Sequence, residues 1–239
     1  MQQNSNRAGL IFLGLCLLLG LSALGYLLGN AALQVKSFER SVNVKGLAER
    51  EYPADVVIWP IQFSVASNQL ADLYAALEQQ SGEIREFLTS NGVDESEITQ
   101  GEPAITDKSA QQYGGNMRAE FRYTATQAVT VYSENIPEIR QLMSKLSQLG
   151  KRGIVLEGGY QAQAEYLFTR LNDIKPAMIE EATTKAREVA QKFARDSESQ
   201  LGKIKRASQG QFSIRDRDRN NPHIKMVRVV STVEYYLSD

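Results

Sequence analysis

The chain begins with an apolar run over residues 8–28 that carries no charge. A helix needs roughly 20 apolar residues to cross a bilayer, and this run has that length. Beyond it the pattern breaks into short periodic stretches. Residues 41–46 alternate as a first strand. Between Asp55 and Val65 the odd positions Val57, Trp59, Ile61, Phe63 and Val65 are all apolar. Period two with β-branched and aromatic residues predicts a half-buried strand, and Pro60 places it at an edge or a bulge. Leu70, Leu73, Tyr74, Leu77, Ser81, Ile84 and Leu88 then recur at helical spacing. Ser67 or Asn68 can cap that helix, and Asn91-Gly92 ends it.

The alternation resumes at residues 97–105 and again at 118–132, where Phe121, Tyr123, Val129 and Val131 share one parity. Between them lies a polar segment, 107–117, with a glycine pair that reads as a loop. Asn135 caps a second helix with Pro137 in its first turn and a stripe of Ile139, Leu142, Met143, Leu146 and Leu149. A strand follows over 154–166. The longest helix covers about 173–199, with the stripe Ile174, Met178, Ala182, Ala186, Val189, Ala190 and Phe193. Strands at 203–214 and 224–237 close the chain. The predicted order is β-β-α-β-β-α-β-α-β-β behind one N-terminal transmembrane helix. Mixed runs of this kind argue for an α+β fold rather than a doubly wound parallel sheet.

Charge changes the picture in one respect. The 239 residues hold 27 Lys+Arg against 28 Asp+Glu, yet the first 36 contain only Arg7 and Lys36 and no acid. Without that leader, 25 basic residues face 28 acidic ones, a net of −3. This balance lacks the basic excess of a nucleic-acid binder. Arg7 and the terminal amine sit directly before the span, so the positive-inside rule predicts a cytoplasmic N-terminus and an exported main part. The expected division is a cytoplasmic segment 1–7, a transmembrane helix 8–28, a tether 29–38 and an exported α+β domain 39–239. The competing reading is a signal peptide cleaved near Gly29-Asn30-Ala31, although an h-region is usually about 7–15 residues, shorter than this run. The retained anchor implies a single-pass membrane protein with its main domain exported; cleavage implies a free exported domain.

Cys16 lies mid-span behind Leu15, which is the wrong neighbour for a lipoprotein cysteine. The soluble part has no cysteine, so disulfide and thiol chemistry are excluded there. Within the span, Gly25 and Gly29 form a GxxxG step. Ser22, Gly25 and Gly29 share about 60° of the helical face, a pattern that suits close helix association.

Four motifs in order resemble the SIMPL-domain family of bacterial periplasmic proteins, which includes the periplasmic immunogenic and oxidative-stress-defence proteins. The first is Val42-Asn-Val-Lys-Gly46 followed by Glu49 and Pro53-Ala-Asp55. The second is the helix ending Leu88-Thr-Ser-Asn-Gly92-Val-Asp94, with Ile98-Thr99 after it. The third is Phe121-Arg-Tyr123-Thr-Ala-Thr leading to Val129 and Val131. The fourth is the long helix with Ala182, Lys185-Ala186-Arg187 and Ala190-Gln-Lys-Phe-Ala194. Two departures stand out: Lys45-Gly46-Leu47-Ala48 keeps one of the family's two glycines, and Glu157-Gly158-Gly159 replaces its usual strand start. The resemblance covers about residues 40–237. It implies an exported α+β domain that forms ring- or cage-like homo-oligomers, a link to stress, and no established active site. With the anchor retained it implies a single-pass bacterial inner-membrane protein whose main domain is periplasmic, and with the leader cleaved a secreted periplasmic one.

No catalytic, cofactor-binding or metal-ligating set is legible. His223 is the only histidine and reads as a solvent-facing turn residue. Asp94, Glu95 and Glu97 lack calcium-loop spacing. The glycine pairs at 114–115 and 158–159 are not phosphate loops, and G-x-S-x-G is absent. The string Arg215, Asp216, Arg217, Asp218, Arg219 reads as a solvated hairpin tip, or as an electrostatic contact between subunits whose alternating signs fix register. The expected protein is therefore a non-enzymatic, membrane-anchored envelope protein that self-assembles. The alternative is a binding or adaptor module, in which the 107–117 loop or the 215–222 tip engages another envelope protein. A hydrolase or redox enzyme would have to rest on His223.

Overall fold

The computed structural model describes residues 3–37, 40–110 and 120–238. Helix α1 (Gln3–Ser37) contains the apolar run and continues through most of the segment expected as a tether. Strands β1 (Ser41–Pro53) and β2 (Val56–Ser67) lead to α2 (Leu70–Ser90), and β3 (Ile98–Gln100), β4 (Ala104–Asp107) and β5 (Tyr123–Ser133) follow. Helices α3 (Ile136–Ser144) and α4 (Ser147–Lys151), strands β6 (Val155–Leu156) and β7 (Glu165–Leu167), and helix α5 (Leu171–Asp196) come next. The chain closes with β8 (Gln200–Gln209), β9 (Ser213–Asp216) and β10 (Ile224–Ser238). The fold is mixed α+β, with antiparallel sheets.

These elements form two compact units. Met1–Glu49, Lys175–Phe212 and Arg228–Asp239 make the first; Arg50–Ile174 and Ser213–Val227 make the second. In the second unit a sheet has the order β3-β5-β2-β6, with β4 also on β5 and β7 also on β2. Val57, Trp59, Ile61 and Phe63 of β2 and Ala125, Val129 and Val131 of β5 are all buried, on the parity their alternation predicts. They pack with Leu73, Leu77, Ile84 and Leu88 of α2 and with Ile139 and Leu142 of α3.

Pro60 corrects the edge expectation, because β2 is a central strand. Its partner across β5 is Thr130, and on the other side β7 meets residues 56–58 and β6 meets 63–64. The Gln62 carbonyl accepts from the Glu157 amide on the β6 side. Strand polar groups alternate in direction, so Pro60 directs its missing donor into the gap between β7 and β6. No ladder bond is lost there.

Other expectations shift at element ends. Two short strands replace the one predicted over 97–105, and β6, a 3₁₀ turn and β7 replace the one over 154–166. Gly159 turns the chain there with φ +127°. Gln69, rather than Ser67 or Asn68, is the N-cap of α2; the Asn68 carboxamide instead accepts from the Arg122 amide. Asn135 holds the N-cap position of α3 without a side-chain bond. Leu70, Tyr74 and Phe193 are exposed rather than part of their stripes, and Phe87 and Ala194 are buried in the corresponding helices. The predicted 107–117 loop begins with a 3₁₀ turn at Lys108–Ala110, and its remainder lies outside the described residues.

The first unit joins α5 to β1, β8 and the end of β10, in the strand order β1-β10-β8, while β9, which also pairs with β10, falls in the second unit. Val44, Ala186, Ala190, Val233 and Tyr235 form its core. Helix α5 buries alanines rather than large side chains: Ala182, Ala186 and Ala190 are fully covered. Small residues bring the helix backbone close to the strand, and Gly46 is the point of closest approach. A Cβ at Gly46 would collide with the Ala182 carbonyl and lie 2.5 Å from the Ala186 nitrogen. Both obstacles are backbone, so neither can swing aside. Gly46→Ala is therefore expected to destabilise the chain by about 3 kcal/mol or more, whereas Lys45→Ala at the exposed neighbouring position stays within about 0.5 kcal/mol. Chemical denaturation of the two variants beside the native chain measures both.

Candidate functional site

Helix α1 carries the first group of sequence-predicted residues. Its membrane-length segment, Leu13–Ala31, is wholly exposed. Ser22, Gly25 and Gly29 lie on it, and no heavy atom stands within 4 Å of where a Cβ at Gly25 or Gly29 would be. Cys16 is exposed on the same helix. The apolar surface here is large, with Leu13, Leu15, Leu17, Leu18, Leu19 and Leu21 each more than half exposed. Such a helix is hydrophobic all round and needs lipid or another protein against it.

The second group, Arg215 to Arg219, forms the end of β9 and the turn into β10, as a hairpin reading requires; the Arg217 amide donates to the Ile224 carbonyl. Three of its charges, Asp216, Arg217 and Asp218, find partners within the second unit. Asp216 pairs with Lys225, a lysine only 8% exposed. The Arg217 guanidinium lies 2.9 Å from Asp218 and 3.5 Å from Glu51. Asp218 also accepts from the backbone amides of Asn220 and Asn221. The arginine and the Asn221 side chain together hold the Asp218 carboxyl down to about 2. The tip is thus ordered by its own ion pairs and an Asx-type turn. An open cleft of about 430 Å³ lies beside it, lined by Glu165, Tyr166, Asp216, Pro222 and Lys225 among others.

His223 departs from expectation. It is half-buried rather than solvent-facing, and its carbonyl accepts from the Ala54 amide. The ring Nε2 lies 3.2 Å from Arg140 Nη1. An arginine is always protonated, so Nε2 accepts and the ring proton belongs on Nδ1, which is buried without a partner. The ring packs edge-on against Tyr166, with centroids 6.0 Å apart. Burial, followed by the positive charges of Arg140 and Arg217, lowers the imidazole pKa below its ordinary 6.5. Burial also raises the Tyr166 hydroxyl. As a catalytic base this histidine is poorly placed, because its one free lone pair faces a guanidinium rather than a nucleophile's hydroxyl.

Asp55, the acid of the Pro53-Ala-Asp55 motif, anchors the same region. Its carboxylate accepts from the amides of Thr169 (2.9 Å) and Arg170 (3.2 Å) and pairs with the Arg170 guanidinium. Its own amide donates to the Leu167 carbonyl. The motif therefore ties the start of β2 to β7 and to the entry of α5. Asp94, Glu95 and Glu97 are similarly occupied. Asp94 and Glu97 form a reciprocal capping box over a 3₁₀ turn, and Glu95 pairs with Arg85 at 3.3 Å. Among the described residues, no group of three or more His, Cys, Asp or Glu side chains is placed to hold a metal ion.

Sequence reasoning missed the meeting of Arg140 and Tyr166 with His223, which arises only through the tertiary fold. It also passed over Gln127, a carboxamide on the buried parity of β5, though that signal was visible in the alternation.

The fold and these groups define a mixed α+β protein with one candidate membrane-spanning helix near its N-terminus. The chain belongs to the SIMPL family, proteins of unknown function (DUF541), whose pattern matches residues 42–233. No curated protein matches it in sequence comparison.

Two outcomes follow from the site. Removing the Asp55 carboxylate in Asp55→Ala leaves two backbone donors and Arg170 without their acceptor, and is expected to cost about 2 kcal/mol in denaturant unfolding. The histidine gives a pH signature. Its folded pKa is lowered, so the unfolded chain binds the proton first as the solution is acidified. The stability owed to the neutral ring is full above the ordinary pKa and declines as pH falls through it. Thermal melts between about pH 7.5 and 5 should show that decline, with a shallower slope in His223→Gln.

Proposed function

We propose that this protein is a non-enzymatic, membrane-anchored envelope protein whose exported domain assembles with copies of itself into a ring or cage. The observation that carries the proposal is the bare apolar helix α1, which at full exposure requires a bilayer or partner helices around it. Arg7 before the span and the absence of acid until Glu39 favour an N-terminus inside and residues from about 39 outside.

Assembly has separate support. Strand β8 ends the β1-β10-β8 sheet, and nearly all of its side chains are exposed. An open edge is a template for pairing, and a closed ring removes it. Ser22, Gly25 and Gly29 give the spans a face for close approach. The string Arg215, Asp216, Arg217, Asp218, Arg219 adds alternating charge at an exposed hairpin end, where exchange of its internal pairs for intersubunit pairs can fix register. The physiological role we assign is structural or protective, in envelope or oxidative stress, a role suggested only by the sequence resemblance to stress-defence proteins.

Two measurements test this reading. Mass determination of the solubilised full chain should give a defined multimer; a monomer alone contradicts assembly. Protease added outside intact spheroplasts should digest the domain beyond α1, and full protection of that domain contradicts the orientation.

A further inference from the structure

A second cleft lies in the second unit, between one face of α2 and the β3–β5 edge of the sheet, with a volume of about 540 Å³. That size falls within the range of small-molecule sites, roughly 300–1,000 Å³. Its lining is polar where a helix–sheet contact should be apolar. Ser81 and Gln127 are each 5% exposed. Ser81 donates to the Glu78 carbonyl and accepts from Gln100 Nε2 at 3.3 Å. Gln127 Nε2 donates to the Gly101 carbonyl at 2.8 Å, but its carboxamide oxygen is buried with no partner. An unmet buried acceptor costs about 1–3 kcal/mol, and an apolar residue in this register would avoid that cost.

Other features of the cleft narrow the chemistry. Glu78 and Arg85 both line it, and Arg85 is already paired with Glu95 outside the lining, so the cleft holds no cation free for an anionic ligand. Tyr74 lines the same cleft with half its surface exposed. Gly82 leaves the helix face open, since nothing lies within 4 Å of where its Cβ would be. The unmet oxygen calls for a hydroxyl or amide donor. A lining that offers acceptors and no free cation suits a neutral, hydroxyl-bearing molecule over an anion, and the tyrosine offers a flat apolar surface. From this combination we infer that the cleft binds a neutral saccharide unit bearing hydroxyl or N-acetyl groups, with Gln127 accepting from the sugar and Tyr74 covering one ring face. The inference stands apart from self-assembly and from the charged hairpin.

The test uses the full chain in lipid nanodiscs free of glycoside detergent, titrated calorimetrically with N,N′-diacetylchitobiose. Saturable binding is expected at or below about 1 mM. Gln127→Met, which keeps volume and removes the carboxamide, should weaken binding by about tenfold or more. Gly82→Leu places a side chain in the cleft while improving helix propensity, and should abolish binding with thermal stability retained or raised. No saturable heat up to about 10 mM would mean that the carboxamide holds only water, and overturns the inference. Binding that survives Gly82→Leu unchanged overturns it as well, because the sugar then sits elsewhere.

Discussion

The first unit depends on a backbone-to-backbone contact. Gly46 lies against the Ala182–Ala186 turn of α5 at a distance that admits no side chain. A contact of this kind gains little from any single atom pair and much from the number of pairs brought within reach. It also excludes alternatives, because a residue one methyl larger forces strand and helix apart. The alanine series Ala182, Ala186, Ala190 and Ala194 extends the same close approach along the helix. This gives a physical meaning to two of the family-like motifs. The glycine of the opening motif and the alanines of the late helix, separated by more than a hundred residues, are the two halves of one interface.

The opening motif has a second function some residues later. Asp55 accepts from Thr169 and Arg170, Ala54 donates to the His223 carbonyl, and Asp55 donates to Leu167. A short segment at the head of β2 thus fixes β7, the entry to α5 and the residue before β10. In this chain the opening motif helps the chain close on itself, and the Ala54 amide and the Asp55 carboxylate are occupied in doing so.

Legibility in the sequence followed the strength of local periodicity. The β2 parity, the α2 and α5 faces and the apolar leader were readable because each repeats one chemical distinction over many residues. The short pieces were not. β6 and β7 together hold five residues on either side of a turn at Gly159, and alternation continuing across that turn mimics one long strand. Pro60 misled because a proline rule speaks of edges, whereas here the neighbouring strand is interrupted opposite it. Phe193 was placed inside on hydrophobicity, yet the alanines that define the buried stripe leave it on the outer face. The surroundings of His223 were beyond reach, since Arg140 and Tyr166 are brought to it by pairings far apart in the chain.

The exposed α1 helix and the open β8 edge both support the proposal that the chain works in a membrane beside copies of itself. Electron-microscopic imaging of the full-length protein reconstituted in a bilayer mimic tests that claim most directly. The account predicts closed, symmetric particles with the folded domains on one side of the bilayer. Single domains scattered one per bilayer disc would contradict it.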